Sequence, residues 1–171
     1  MLQTGVPLQA AENTKYHAHD LSQDVYDQSC GSHTFNSSCH LPFTGSEIRN
    51  PSWSWARKAC QAHSFKSRSG EVYIGDLASV PDEQTQEFLA ALTNKTVFLG
   101  GRLSEEGAWV WSDGTPWQYE AWHQGEPSGG QENILVMNYF KQSLGSWNDG
   151  EDIQTNVVKG SICEYYRKNS G

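Results

Sequence analysis

Positive charge is scarce in this chain. Its 171 residues hold 12 Lys and Arg against 20 Asp and Glu, a net charge of −8. Nucleic acid and anionic membrane surfaces recruit cations to neutralise phosphate, so neither is expected as a partner. Long apolar runs are also missing. No stretch approaches the roughly 18 consecutive apolar residues that cross a bilayer, and Met1-Leu2-Gln3-Thr4-Gly5 has neither the basic start nor the apolar run of a signal peptide. No direct membrane insertion is expected of this portion. Cysteine is limited to Cys30, Cys39, Cys60 and Cys163, without Cys-x-x-Cys or Cys/His spacing, which speaks against structural zinc. An even number fits disulfides and an extracellular, oxidising compartment; four sulfurs allow three pairings, and the residues alone do not choose among them. Gly-x-Ser-x-Gly, phosphate-loop and His-Glu-x-x-His motifs are absent too, so no enzyme is expected.

What is present suits one α+β domain with a tail. Hydrophobic residues make up 36%, including 7 Trp, 7 Tyr and 6 Phe, enough for one core, while 16 Gly point to much loop. Residues 1–26 show no periodicity and read as an N-terminal tail or linker, leaving residues 27–168 as the domain. His17-x-His19-Asp20 in that tail has nothing converging on it and is not read as a metal site. Asn50-Pro51 followed by Trp53, Ala56, Cys60 and His63 at helical spacing predicts a capped amphipathic helix with Pro in its first turn. A second helix is predicted over Pro81 to Leu92, with Asp82 and Glu83 where the macrodipole favours anions and Phe88, Leu89 and Leu92 on one face. Strands are predicted near 97–101, 108–112, 133–138 and 160–166, with Trp109 and Trp111 on one side of theirs. Sequons at Asn36-Ser37-Ser38 and Asn94-Lys95-Thr96 permit N-glycosylation of a secreted chain.

Oxygen donors are concentrated late in the chain. Glu126-Pro127-Ser128, Glu132 and Trp147-Asn148-Asp149 place carboxylates, an amide and a hydroxyl in Gly-rich, loop-like sequence. Each residue type alone marks an exposed turn. Together they form a cage for a hard cation such as Ca²⁺, which takes about 6–8 oxygen ligands in flexible geometry. No His or Cys stands among these donors, which argues against zinc or copper. From Glu126 to Asp152 the carboxylates Glu126, Glu132, Asp149, Glu151 and Asp152 face one cation, Lys141, so a bound divalent ion would relieve their repulsion. A glycosidase pair made of Glu126 and Glu132 is disfavoured, because an exposed loop of several acids tends to keep both ionised.

These donors, framed by tryptophans, resemble the C-type lectin family, whose long loop carries Glu-Pro-Asn or Gln-Pro-Asp, a later Glu, and Trp-Asn-Asp. Val97-Phe98-Leu99-Gly100-Gly101, Trp109-Val110-Trp111-Ser112-Asp113-Gly114 with Trp117 and Trp122, and Ile162-Cys163-Glu164 extend the likeness over about residues 28–167. The resemblance implies two helices with two small antiparallel sheets and a long calcium-binding loop. It implies the disulfides Cys60–Cys163 and Cys30–Cys39, the latter stapling an N-terminal hairpin; the family's further loop disulfide is missing, with Ile134 at one of its positions. It also implies a cis peptide before Pro127 and one Ca²⁺ held by Glu126, Ser128, Glu132, Asn148 and Asp149, since Arg102 and Gly129 stand where acids of an auxiliary site would be. Glu126, Ser128, Glu132, Asn148 and Asp149 would bind adjacent sugar hydroxyls as well, mannose-type slightly before galactose-type, with Trp122 and His123 as secondary contacts. Ser128 departs from the family's Asn or Asp. The implied role is calcium-dependent recognition of glycans or glycoproteins, as in cell adhesion, with oligomers supplying avidity; the alternative is a protein-binding domain of the same fold.

Overall fold

In the computed structural model the described residues are 30, 33–44, 51–63, 65–66, 70 and 72–167. The predicted tail, its His17, His19 and Asp20, and Asn50 lie outside them. The elements in chain order are β1 (Thr34–Phe35), β2 (Ser38–Phe43), α1 (Trp53–Ala62), β3 (Phe65–Lys66), β4 (Val72–Leu77), α2 (Glu83–Leu92), β5 (Val97–Leu103), β6 (Trp109–Trp111), β7 (Ile134–Met137), β8 (Trp147–Gly150) and β9 (Ser161–Arg167).

Both expected helices form, each starting later than expected. Ser52 caps α1, its hydroxyl accepting the Trp55 amide at 3.2 Å. Pro51 therefore precedes the cap rather than sitting in the first turn, because the serine hydroxyl can satisfy a free amide and proline cannot. Asp82 caps α2, its carboxylate accepting the Thr85 amide at 2.7 Å, so Pro81 is outside that helix. The predicted buried face of α1 holds: Trp53, Ala56 and Cys60 are in the core, and the Trp53 indole donates to the Leu99 carbonyl at 2.7 Å.

Strand β9 is the hub of one half of the sheet. It pairs antiparallel with β2, from Cys39↔Tyr165 to Phe43↔Ser161, and with β4, from Tyr73↔Arg167 to Leu77↔Cys163. The other half is antiparallel β6–β5–β7–β8. One parallel pairing, Phe98↔Ser161, joins the halves, so the nine described strands form one continuous sheet. Both disulfides take the implied pairings, Cys30–Cys39 across the first hairpin and Cys60–Cys163 between α1 and β9. Gly75 on β4 is where this packing is closest: a Cβ there would lie 2.3 Å from the Cys60 carbonyl oxygen and 2.7 Å from the Tyr165 ring. Nearby, Arg57 on α1 pairs with buried Asp76 at 3.0 Å, and Gln61 and Ser112 add hydrogen bonds to the same carboxylate.

Candidate functional site

Five indoles build the floor on which the long loop between β6 and β7 rests. Trp109, Trp111, Trp117, Trp122 and Trp147 meet one another, with Trp111 and Trp117 centroids 4.6 Å apart, Trp109 and Trp122 4.8 Å, and Trp122 and Trp147 5.6 Å. Large aromatic faces bury the most area, so this cluster fixes a loop that has little regular structure of its own. Trp147 is fully buried, and its indole donates to Gln86 of α2 at 2.8 Å, while the same amide donates to the Gly145 carbonyl at 2.6 Å. Gln86 had no distinguishing signal in the sequence beyond its place on α2.

Main-chain bonds then align the loop with β8. The Trp147 amide donates to the Ala121 carbonyl at 2.8 Å, and the His123 amide to the Trp147 carbonyl at 2.9 Å. The His123 carbonyl accepts the Glu126 amide at 2.9 Å, which turns the chain into Glu126-Pro127, a cis peptide as the resemblance implies. Strand β8 carries Asn148 opposite Val136 and Asp149 opposite Leu135.

The predicted donors meet here. Asp149 is fully buried, and its two carboxylate oxygens accept the amides of Ser128 at 2.9 Å and Gly129 at 2.7 Å. Those bonds clamp the turn after Pro127 onto β8. The Ser128 hydroxyl donates to Glu132 at 2.6 Å, linking the third carboxylate. Asn148 is 8% exposed, with its amide nitrogen on the Asp149 carbonyl. Glu126, Ser128, Glu132 and Asp149 are thus brought together, with Asn148 beside them. Of the secondary candidates, Trp122 is half-buried in the indole floor, and the His123 ring stacks on Phe140 at 3.9 Å.

The electrostatics leave one oxygen unanswered. Glu126 Oε2 is buried without a hydrogen-bond partner. Burial first, then the neighbouring Asp149 carboxylate, pushes the Glu126 carboxyl above its usual range, partly offset by hydrogen bonding to Ser128. Three carboxylates, a hydroxyl and an amide are the donor set of a hard cation, and a buried carboxylate oxygen without a donor is what such an ion would satisfy. Among the described residues no three His, Cys, Asp or Glu side chains are grouped closely enough to hold a metal ion by themselves.

Residues 49–165 match the profile of the family described as Lectin C-type domain. A human protein, C-type lectin domain family 4 member C, is 30% identical over 152 residues, covering 83% of this chain and 62% of its own length. The chain thus spans about three-fifths of that relative. Among solved structures, the cow C-type carbohydrate-recognition domain of CD23, determined in the presence of a GlcNAc2Man3 oligosaccharide, is 27% identical with a TM-score of 0.59, covering 80% of this chain and 92% of that one. A calcium-independent type II antifreeze protein shares the fold at 22% identity and a TM-score of 0.61, covering 79% of this chain and 91% of its own.

Proposed function

The chain belongs to the C-type lectin domain family, and on that premise we propose that it recognises glycans through one calcium ion held by Glu126, Ser128, Glu132, Asn148 and Asp149. Membership makes it a binding domain and not an enzyme. The observation that carries the calcium reading is the clamp of both Asp149 oxygens on the Ser128 and Gly129 amides, which brings the two arms of the cage together beside the unpartnered Glu126 Oε2.

Each side chain has a distinct part. Asp149 orients the turn after Pro127 and offers negative charge from a buried position. Glu126 and Glu132, as carboxylates, accept hydrogen bonds from sugar hydroxyls, whereas the Asn148 amide can also donate. Ser128 can do either, which loosens the donor and acceptor pattern that separates one sugar from another. When bound, calcium supplies coordination to two adjacent sugar hydroxyls. Glu126 favours mannose-type over galactose-type sugars, and the oligosaccharide present with the cow relative supports that preference.

The two disulfides suit an oxidising compartment, and we assign the chain outside the cell. No helix among the described residues is long and apolar enough to cross a membrane. The calcium-independent relative shows that the fold alone does not dictate a metal, so the test addresses metal and sugar together. A glycan array with calcium should give mannose-type signals that chelator removes, and Asn148→Ala should abolish both metal and sugar binding in a folded protein. A null array from folded, calcium-treated protein assigns the domain to protein ligands instead.

A further inference from the structure

A second group of polar side chains gathers around Glu164 on β9. The strands β5 and β7 separate β9 from β8, which carries Asn148 and Asp149 of the cage. Here the chain leaves a hollow of about 120 Å³, walled by Phe35, His40, Ser79, Thr85, Thr115 and Glu164 among others. The first hairpin, β9 and the start of α2 thus meet around it.

Its polar wall is made of acceptors. The Thr115 hydroxyl donates its one proton to Asp113 at 2.9 Å, and the Ser79 hydroxyl directs its own toward Glu164 and Thr115, 3.3 and 3.2 Å away. Their oxygens keep only lone pairs for the hollow. His40 turns Nε2 toward Glu164 Oε1, 3.7 Å away, and a neutral imidazole with its proton on Nε2 has an acceptor at Nδ1. That Nδ1 and the Thr85 hydroxyl oxygen are both buried without a hydrogen-bond partner, on residues only 2% and 3% exposed. A buried polar atom without a partner costs free energy that a suitable ligand returns. No lysine or arginine lines the hollow. Burial first, with the nearby Asp113 charge adding to it, raises the Glu164 carboxyl above its usual range.

What fits is a cation that brings its own N–H donors. We infer that the hollow binds a protonated primary amine on a short alkyl stem, the ammonium among Glu164, His40, Ser79 and Thr85 and the stem against Phe35 and Pro81. A metal ion suits it less: one carboxylate and one imidazole fall short of a ligand set, and among the described residues no three His, Cys, Asp or Glu could hold a metal. The positive end of the α2 dipole, which would repel a cation, is already answered by the Asp82 cap and by Glu83. A free amine and a lysine side chain share this chemistry. Neither calcium nor sugar at the cage is needed for it.

The full chain is titrated at neutral pH with butylamine, with butanol as its uncharged counterpart, and with butyltrimethylammonium, which carries charge without N–H donors. The His40 ring resonances report occupancy. Butylamine should bind about tenfold or more tightly than either, the scale of a charge-assisted hydrogen bond. Thr85→Val gives up a hydroxyl that has no partner and so leaves the fold intact; it should weaken the amine about threefold, and Glu164→Gln about tenfold. Binding of Nα-acetyllysine amide as tight as that of butylamine extends the site to lysine side chains, and its failure to bind confines the hollow to free amines. The proposal is overturned if butylamine does not bind, if butanol or butyltrimethylammonium matches it, or if both variants bind it as wild type does. Displacement of the amine by excess calcium would make the hollow a metal site and overturn it equally.

Discussion

On β2, His40 carries an imidazole into the packing between the first hairpin and β9. It is 2% exposed, its Nε2 lies 3.7 Å from Glu164, its Nδ1 has no partner, and its ring meets Phe88 of α2 edge-on at 5.5 Å. Burial holds its pKa down from 6.5 to about 4, a drop that the nearby Ser38 and His33 main chain opposes. A depressed folded-state pKa gives stability that is present above the unfolded value and lost as pH falls through the folded one. Acidification across that window should therefore cost up to roughly 3 kcal/mol through His40. Burial raises the Glu164 carboxyl, which works in the opposite sense and favours the fold as the carboxylate protonates. The His40 contribution is isolated as the difference between wild type and His40→Gln in urea unfolding. The difference should shift in favour of the variant on acidification; parallel pH profiles would refute it. At the cage, the raised Glu126 carboxyl takes up a proton at higher pH than an ordinary glutamate, so protons compete early with calcium. Sugar binding should be weaker near pH 5 than near pH 7.5, measured by calorimetric titration at fixed calcium.

Among the elements, β4 has the least room. With the Cys60 carbonyl 2.3 Å from a hypothetical Gly75 Cβ, Gly75→Ala must push α1 away from the sheet. The expected loss is about 2–3 kcal/mol of unfolding free energy, the scale of overpacking a dense core, and an unchanged denaturation midpoint would contradict it. The same strand shows why part of the fold escaped sequence reading. Helices α1 and α2 were legible because Trp53, Ala56 and Cys60, or Phe88, Leu89 and Leu92, fall on one helical face next to polar or proline start signals. Strands β5, β6, β7 and β9 were legible as apolar runs. Strand β4 was not, since Gly75 and Asp76 interrupt its pattern, and the reasons for both are tertiary: a close helix and the Arg57 partner. Strand β8 is Trp-Asn-Asp-Gly, poor in β propensity and held as a strand by pairing with β7. The donors of the cage were recognisable by chemistry alone. Their support was not, because the amides that clamp Asp149 carry no side-chain signal.

At the scale of the whole molecule, the two sequons fall where a glycan can be carried. Asn36 is exposed at the tip between β1 and β2, and Asn94 is exposed between α2 and β5. Val97 pairs with Met137 and Arg102 with Ile134, so Asn94 lies beyond one end of β5 while Glu132 lies beyond the other, leaving the cage open. Secretion from a eukaryotic host should give glycoforms that collapse in two steps on treatment with peptide N-glycosidase, with Asn36→Gln and Asn94→Gln each removing one step. A single unshifted band would count against both sites. The packed indoles have a practical consequence of their own. Rings in such proximity couple their electronic transitions, and Trp147 adjoins Asn148 directly. Near-ultraviolet dichroism can therefore register events at the neighbouring donors, giving the protein a built-in optical gauge that needs no dye or tag.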